Sequence, residues 1–161
     1  MRRNPAVFAI LIGGAIAGAL DITYAIVFSG FRGVPAQRVL QSVASGLLGP
    51  AAFQGGTSTA ALGLCLHFFI AFSAAALFYL ASRRLPLLTR RPVLAGILYG
   101  VLIYAVMNLV VLPLSAYPRR TSFPLLVLAT GLFVHMFFIG LPIALATRRA
   151  SGRPSHPTPG V

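Results

Sequence analysis

Four long apolar runs constrain this chain more than any other feature of it. A helix needs about 20 apolar residues to cross the hydrocarbon of a bilayer, and runs of that length lie at about 7–29, 57–82, 93–116 and 124–147. With 58% hydrophobic residues, 9% charged ones and a mean hydropathy of +0.90, the sequence cannot be divided into one core and a wetted surface. The expected fold is an all-α integral membrane protein with four transmembrane helices, and its surroundings are the lipid bilayer. The first run follows Arg2 and Arg3 and has small residues at Ala15 and Ala17, features shared with a cleavable leader. Its continuation through Val27 and Phe28 is long enough for a crossing, so it is read as a retained helix.

A net charge of +12 would ordinarily raise nucleic acid as a partner. The arginines, however, come as adjacent pairs at the ends of apolar runs: Arg2 and Arg3, Arg83 and Arg84, Arg90 and Arg91, Arg119 and Arg120, Arg148 and Arg149. That is where snorkelling and headgroup contacts favour them, and no nucleic-acid partner is expected. Nine arginines fall on the side of the termini and the 83–92 loop, against four in the other two loops. This asymmetry predicts a multi-pass protein of the bacterial inner membrane with both termini cytoplasmic. Cys65 is the sole cysteine, so an internal disulfide or a cysteine metal cluster is impossible, and no metal and no cofactor are expected.

Between the first two runs, Gln37, Arg38, Gln41, Ser42 and Ser45 alternate with Val39 and Leu40, Val43 and Ala44, Leu47 and Leu48. This helical period, opened by Pro35 and closed by Gly49 and Pro50, predicts a short interfacial helix at about 36–48 in the first outer loop. It is expected to cover the end of the bundle. In "FQGGTSTA" the glycines read as a flexible entry to the second span, with Thr57 as its N-cap. Residues 148–161, rich in Pro, Gly and Ser, are expected to be a disordered cytoplasmic tail.

The only acidic side chain, Asp21, sits inside the first apolar run. On a helix it shares a stripe with Gly14, Gly18 and Ala25, so it faces another helix across small residues. The second run places His67 on a face with Ala60, Gly63, Ala71 and Ala74. In the third, Gly96 and Gly100 are followed at steps of four by Tyr104 and Asn108. In the fourth, Gly131 lies one turn before His135. At 1.5 Å of rise per residue, Asp21, His67, Asn108 and His135 each fall roughly 12 to 17 Å from the outer end of their helix. One polar group per crossing therefore shares a layer. Such groups are costly in hydrocarbon and pair with one another, so Asp21 is expected to contact a histidine, with Asn108, Tyr24 or Tyr104 completing the hydrogen bonds.

"LHFFIAFSAAALFYLASRR" and "VHMFFIGLPIALATRR" each run from a mid-span histidine to an arginine pair, a weak internal echo of two like-oriented hairpins. A glycine-rich first span, His67, the segment "LAGILYGVLIYAVMNLVVLPLSA" and His135 together resemble the YagU-type family of uncharacterised bacterial inner-membrane proteins. The resemblance covers about residues 8–147 and implies fold and location alone. Nucleophile triads, paired carboxylates and phosphate-cradling loops are lacking in the sequence, so no catalytic residue and no enzyme activity are expected. The reading favoured is a proton-coupled carrier or channel for a small solute or the proton itself, using the Asp/His/Asn layer. Its alternatives are a structural or partner-binding membrane subunit, with a homodimer among the assemblies expected, and, remotely, a b-type haem protein ligated by His67 and His135.

Overall fold

The computed structural model of the protein describes residues 4–118 and 124–152. The arginines at positions 2, 3, 119 and 120, and the tail from 153 onward, lie outside the described residues. Among the described residues all regular structure is helical: α1 (Pro5–Gly30), α2 (Ala36–Leu48), α3 (Gly56–Arg84), α4 (Leu87–Arg90), α5 (Pro92–Leu114) and α6 (Leu125–Ser151). Helices α1, α3, α5 and α6 are long and apolar enough to cross a membrane, so this is an all-α membrane protein. A span satisfies every backbone group within itself only as a helix or a closed barrel, and these runs take the helical solution.

Helix α1 is the centre of the bundle. It packs on α3 along one flank and on α6 along the other, and α6 packs in turn on α5. Glycines set the closeness of each contact. Gly14 and Gly18 lie against Phe72, Phe68 and Ala71 of α3, while Gly13 lies against Ile143 and Ala146 of α6. Between α5 and α6 the backbones themselves touch: a side chain on Gly100 would overlap the His135 carbonyl, and one on Gly140 would overlap the Gly96 carbonyl. Lipid tails are as apolar as leucine, so burial in the bilayer gives helices little reason to associate, and van der Waals contact of this kind holds them together. Helices α3 and α5 meet differently, through long side chains. The Tyr99 hydroxyl donates to the Ala74 carbonyl at 2.7 Å, and its ring meets Phe78 edge-on with centroids 4.9 Å apart. The most buried apolar cluster, including Ala17, Phe78, Ala95 and Ile143, draws on all four long helices.

Two of these helices are locally widened. In α5 the turn Met107–Val111 and in α6 the turn His135–Gly140 are π-helical, with the Leu112 amide donating to the Met107 carbonyl and the Leu141 amide to the Met136 carbonyl. Each widened turn directly precedes a proline, Pro113 or Pro142. A proline inside a helix has no amide to donate and its ring crowds the carbonyl four residues back, and a π turn relieves that crowding by moving the carbonyl. The sequence carries the repeat as "MNLVVLP" and "MFFIGLP".

Several expectations at element ends change. The third span stops at Leu114 and not near residue 116, because Ser115 turns into extended backbone and the Ala116 amide donates to the Gly46 carbonyl of α2 at 2.9 Å. The N-cap of α3 is Gly55, not Thr57; Gly56 begins the helix with a positive φ of 58°, which glycine adopts without strain. Helix α6 continues through Arg148 and Arg149 to Ser151, so residues 148–151 are helical and not part of a disordered tail. Arginines are good helix formers and are favourable at a helix C-terminus.

Gly100→Ala is expected to lower the unfolding free energy in micelles by about 1 to 3 kcal/mol, the usual cost of overpacking. Gly30→Ala, where the added methyl meets open space, should change it by less than about 0.5 kcal/mol. Denaturation in SDS checks both values; equal effects would refute backbone contact between α5 and α6.

Candidate functional site

A cavity of about 100 Å³ lies in the seam between α3 and α5, backed by α1 and α6. It exists because the glycine contacts draw α1 against α3 and α5 against α6, whereas α3 and α5 stay apart. On the α3 side its wall is Ile70, Ala71 and Ala74, and on the α5 side Ile103 and Met107. The Tyr99 bridge to Ala74 lies at the end nearer α4, and Val43 of α2 borders the cavity from the opposite end.

Asp21, His67 and His135 all border this one cavity. Measured along their helices they lie about 14, 17 and 15 Å from the ends of α1, α3 and α6 that face α2, so three crossings bring one ionisable group each to a common depth. Asn108 is about 9 Å from the end of α5 and does not join them: its amide donates to the Tyr104 carbonyl of its own helix at 2.9 Å. An interior asparagine of a helix readily bonds back in this way.

The direct pairing expected for the carboxylate is not made. Among the described residues the Asp21 carboxyl has neither a hydrogen bond nor an ion pair, because each histidine bonds a backbone carbonyl in its place. His67 Nε2 is 2.8 Å from the Gly18 carbonyl oxygen, and His135 Nδ1 is 2.9 Å from that of Gly131. A carbonyl can only accept, so these two ring nitrogens carry the protons. Gly18 has no side chain to cover its carbonyl, which opens the approach from α3. In neutral rings the remaining nitrogens, Nδ1 of His67 and Nε2 of His135, are acceptors able to take up a proton.

The two tyrosines also stay off the carboxylate. Tyr104 is buried, lies against Gly131 and meets the His135 ring edge-on at 5.1 Å between centroids, so it fixes the plane of that imidazole. Tyr24 stacks on Phe28 at 5.3 Å, and its buried hydroxyl has no partner among the described residues. The small residues of the sequence reading have assigned neighbours: Gly14 and Gly18 face α3, Gly63 faces the Leu40 carbonyl of α2, Gly96 and Gly100 face α6, and Gly131 faces Tyr104.

The cavity has room for a few water molecules. A porphyrin does not fit: ligand pockets run from roughly 300 Å³ upward, and His67 Nε2 is already committed to Gly18. Among the described residues, no three potential metal ligands converge on one point.

Helix α2 holds residues that the sequence reading did not single out for the site. Part of its polar face is buried: Gln41 is 2% exposed and Ser45 fully buried, beside Val39 and Ala44, while Gln37 and Arg38 stay exposed. Gln41 Nε2 donates to the Gly56 carbonyl at 3.0 Å and to Thr59 Oγ1 at 3.3 Å, and Thr59 Oγ1 donates to the Ala52 carbonyl at 2.7 Å. The Leu40 carbonyl nests over Gly63. The helix is thus latched to the start of α3 while Val43 meets the cavity. The amphipathic period does not mark this buried strip, which crosses the boundary between the two faces. Comparison with family models, curated proteins and solved structures gives no match.

Gln41→Ala removes the latch and is expected to cost about 1 kcal/mol. Amide hydrogen exchange across 39–48 should accelerate while that of α5 and α6 holds; unchanged exchange in α2 would show that Gln41 does not fasten it.

Proposed function

We propose that this protein moves protons, alone or coupled to a small solute, through the cavity bordered by Asp21, His67 and His135, and that it does so without catalysing a covalent reaction. The observation that carries the reading is that three ionisable side chains from three crossings border one cavity, with the carboxyl unpaired among the described residues. A carboxyl in such a place costs free energy unless it is paired, and an ionisable side chain kept within a span despite that cost favours a functional role. Each imidazole keeps one nitrogen on a backbone carbonyl and, among the described residues, the other without a partner, so a proton can pass between carboxyl and ring, or through intervening water, without breaking the bonds that orient the rings. The widened turns of α5 and α6 begin at cavity residues Met107 and His135. Such turns often occur where a helix serves a function, and they offer a place for the helices to flex.

The same reading puts the chain in a bacterial inner membrane, of YagU type, with both termini cytoplasmic, as its nine-to-four arginine asymmetry favours. Asp21→Asn keeps the shape of the side chain and removes its titration. In proteoliposomes it should abolish pH-gradient-driven flux, read with an internal pH dye, whereas Asp21→Glu should retain part of it. Undiminished flux in Asp21→Asn would refute the proposal. For orientation, a Cys65→Ser chain carrying Ser151→Cys should react with a membrane-impermeant maleimide only after the cells are opened. Labelling of intact cells would reverse the assignment.

A further inference from the structure

A second cleft, of about 750 Å³, opens at the α2 end of the molecule between the last turn of α1, the 31–35 turn, the first half of α2 and Tyr117. Arg32 and Arg38 both border it, with Ser29, Ser42 and Phe53. Each guanidinium is held on an aromatic face: that of Arg32 lies 5.7 Å from the Phe28 ring centroid, and that of Arg38 lies 5.5 Å from the Phe53 ring. Arg38 also donates one N–H to the Phe53 carbonyl at 3.1 Å. Stacking of this kind orients a guanidinium while leaving most of its donors free. Neither charge can be neutralised by an acidic side chain of the chain itself. The only one is Asp21, about 14 Å along α1 from the end that meets this cleft.

We propose that this cleft binds a phosphate group, with Arg32 and Arg38 as its two forks. Guanidinium donors match phosphate oxygens two at a time, and two arginines suit a group with several anionic or acceptor oxygens. The cleft exceeds the needs of a bare phosphate, and Val34, Pro35, Val39 and Phe53 make part of its wall apolar. It lies at the α2 ends of the spans, where a chain that crosses a bilayer meets lipid headgroups. Phosphate borne by an anionic phospholipid and phosphate in solution share the chemistry, and the test separates them.

The full chain in neutral detergent is titrated with short-chain phosphatidylglycerol, with phosphatidylcholine and with inorganic phosphate, and binding is read by thermal shift and native mass spectrometry. Retention of phosphatidylglycerol alone identifies a headgroup; protection by inorganic phosphate identifies a soluble ligand. Either should weaken about tenfold in Arg32→Gln, the loss of one charged hydrogen-bonding group. Arg38→Lys, which keeps charge but not the fork, should weaken it as well, and Arg90→Gln at the opposite end should leave it unchanged. Arg32 makes no hydrogen bond through its side chain among the described residues, so its substitution leaves the fold intact, and helical circular dichroism verifies this. Binding of neither probe, or equal losses in Arg32→Gln and Arg90→Gln, would overturn the proposal.

Discussion

Backbone-to-backbone contact at glycine is the constraint on which the rest of the molecule depends. Without a hydrophobic drive for association, the helices are held where their surfaces fit most closely, and the closest fits are Gly100 on His135, Gly140 on Gly96, and Gly14 and Gly18 on the α3 phenylalanines. These contacts produce two close pairs, α1 with α3 and α5 with α6, joined where α1 meets α6. The remaining side, α3 against α5, is bridged by Tyr99 and left partly open. The cavity is therefore a consequence of where the small residues are, and the ionisable groups occupy the space that close packing leaves.

The same contacts orient those groups. Gly18 allows α3 close to α1 and exposes its own carbonyl to His67; Gly131 accepts the bond from His135 and makes room for Tyr104. Gly18 thus acts twice, once in packing and once in exposing a carbonyl that orients an imidazole on a neighbouring helix. Helix α2 links the cavity to the arginine-lined cleft, since Val43 borders the first while Arg38 and Ser42 border the second. Its Gln41 latch sets its position against α3.

How legible this was in the sequence differs by kind of feature. The crossings were plain, because the cost of exposing backbone polar groups in hydrocarbon demands long helices from long apolar runs. That Asp21, His67 and His135 share a depth followed from counting rise per residue. That Asn108 would bond its own helix did not, because side-chain rotamers are outside what spacing reports. The doubled Met-to-Leu-Pro pattern was present as letters, yet its meaning required seeing both widened turns. Gln41 looked like a residue for water and is buried, since α2 packs on α3 along a strip that takes in Val39 and Ala44 together with Gln41 and Ser45.

By itself, then, the sequence determined the class of fold, the four long helices and the amphipathic one to within a few residues, the pairing of arginines with their ends and the presence of small-residue faces, all of which follow from local composition and periodicity. Only the tertiary structure decided which faces meet, that the carboxyl stands beside two imidazoles without bonding them, and that α3 and α5 leave a cavity. Those outcomes depend on the three-dimensional fit of several helices at once, and a hydrogen bond to a carbonyl 49 residues away has no trace in the spacing along one chain.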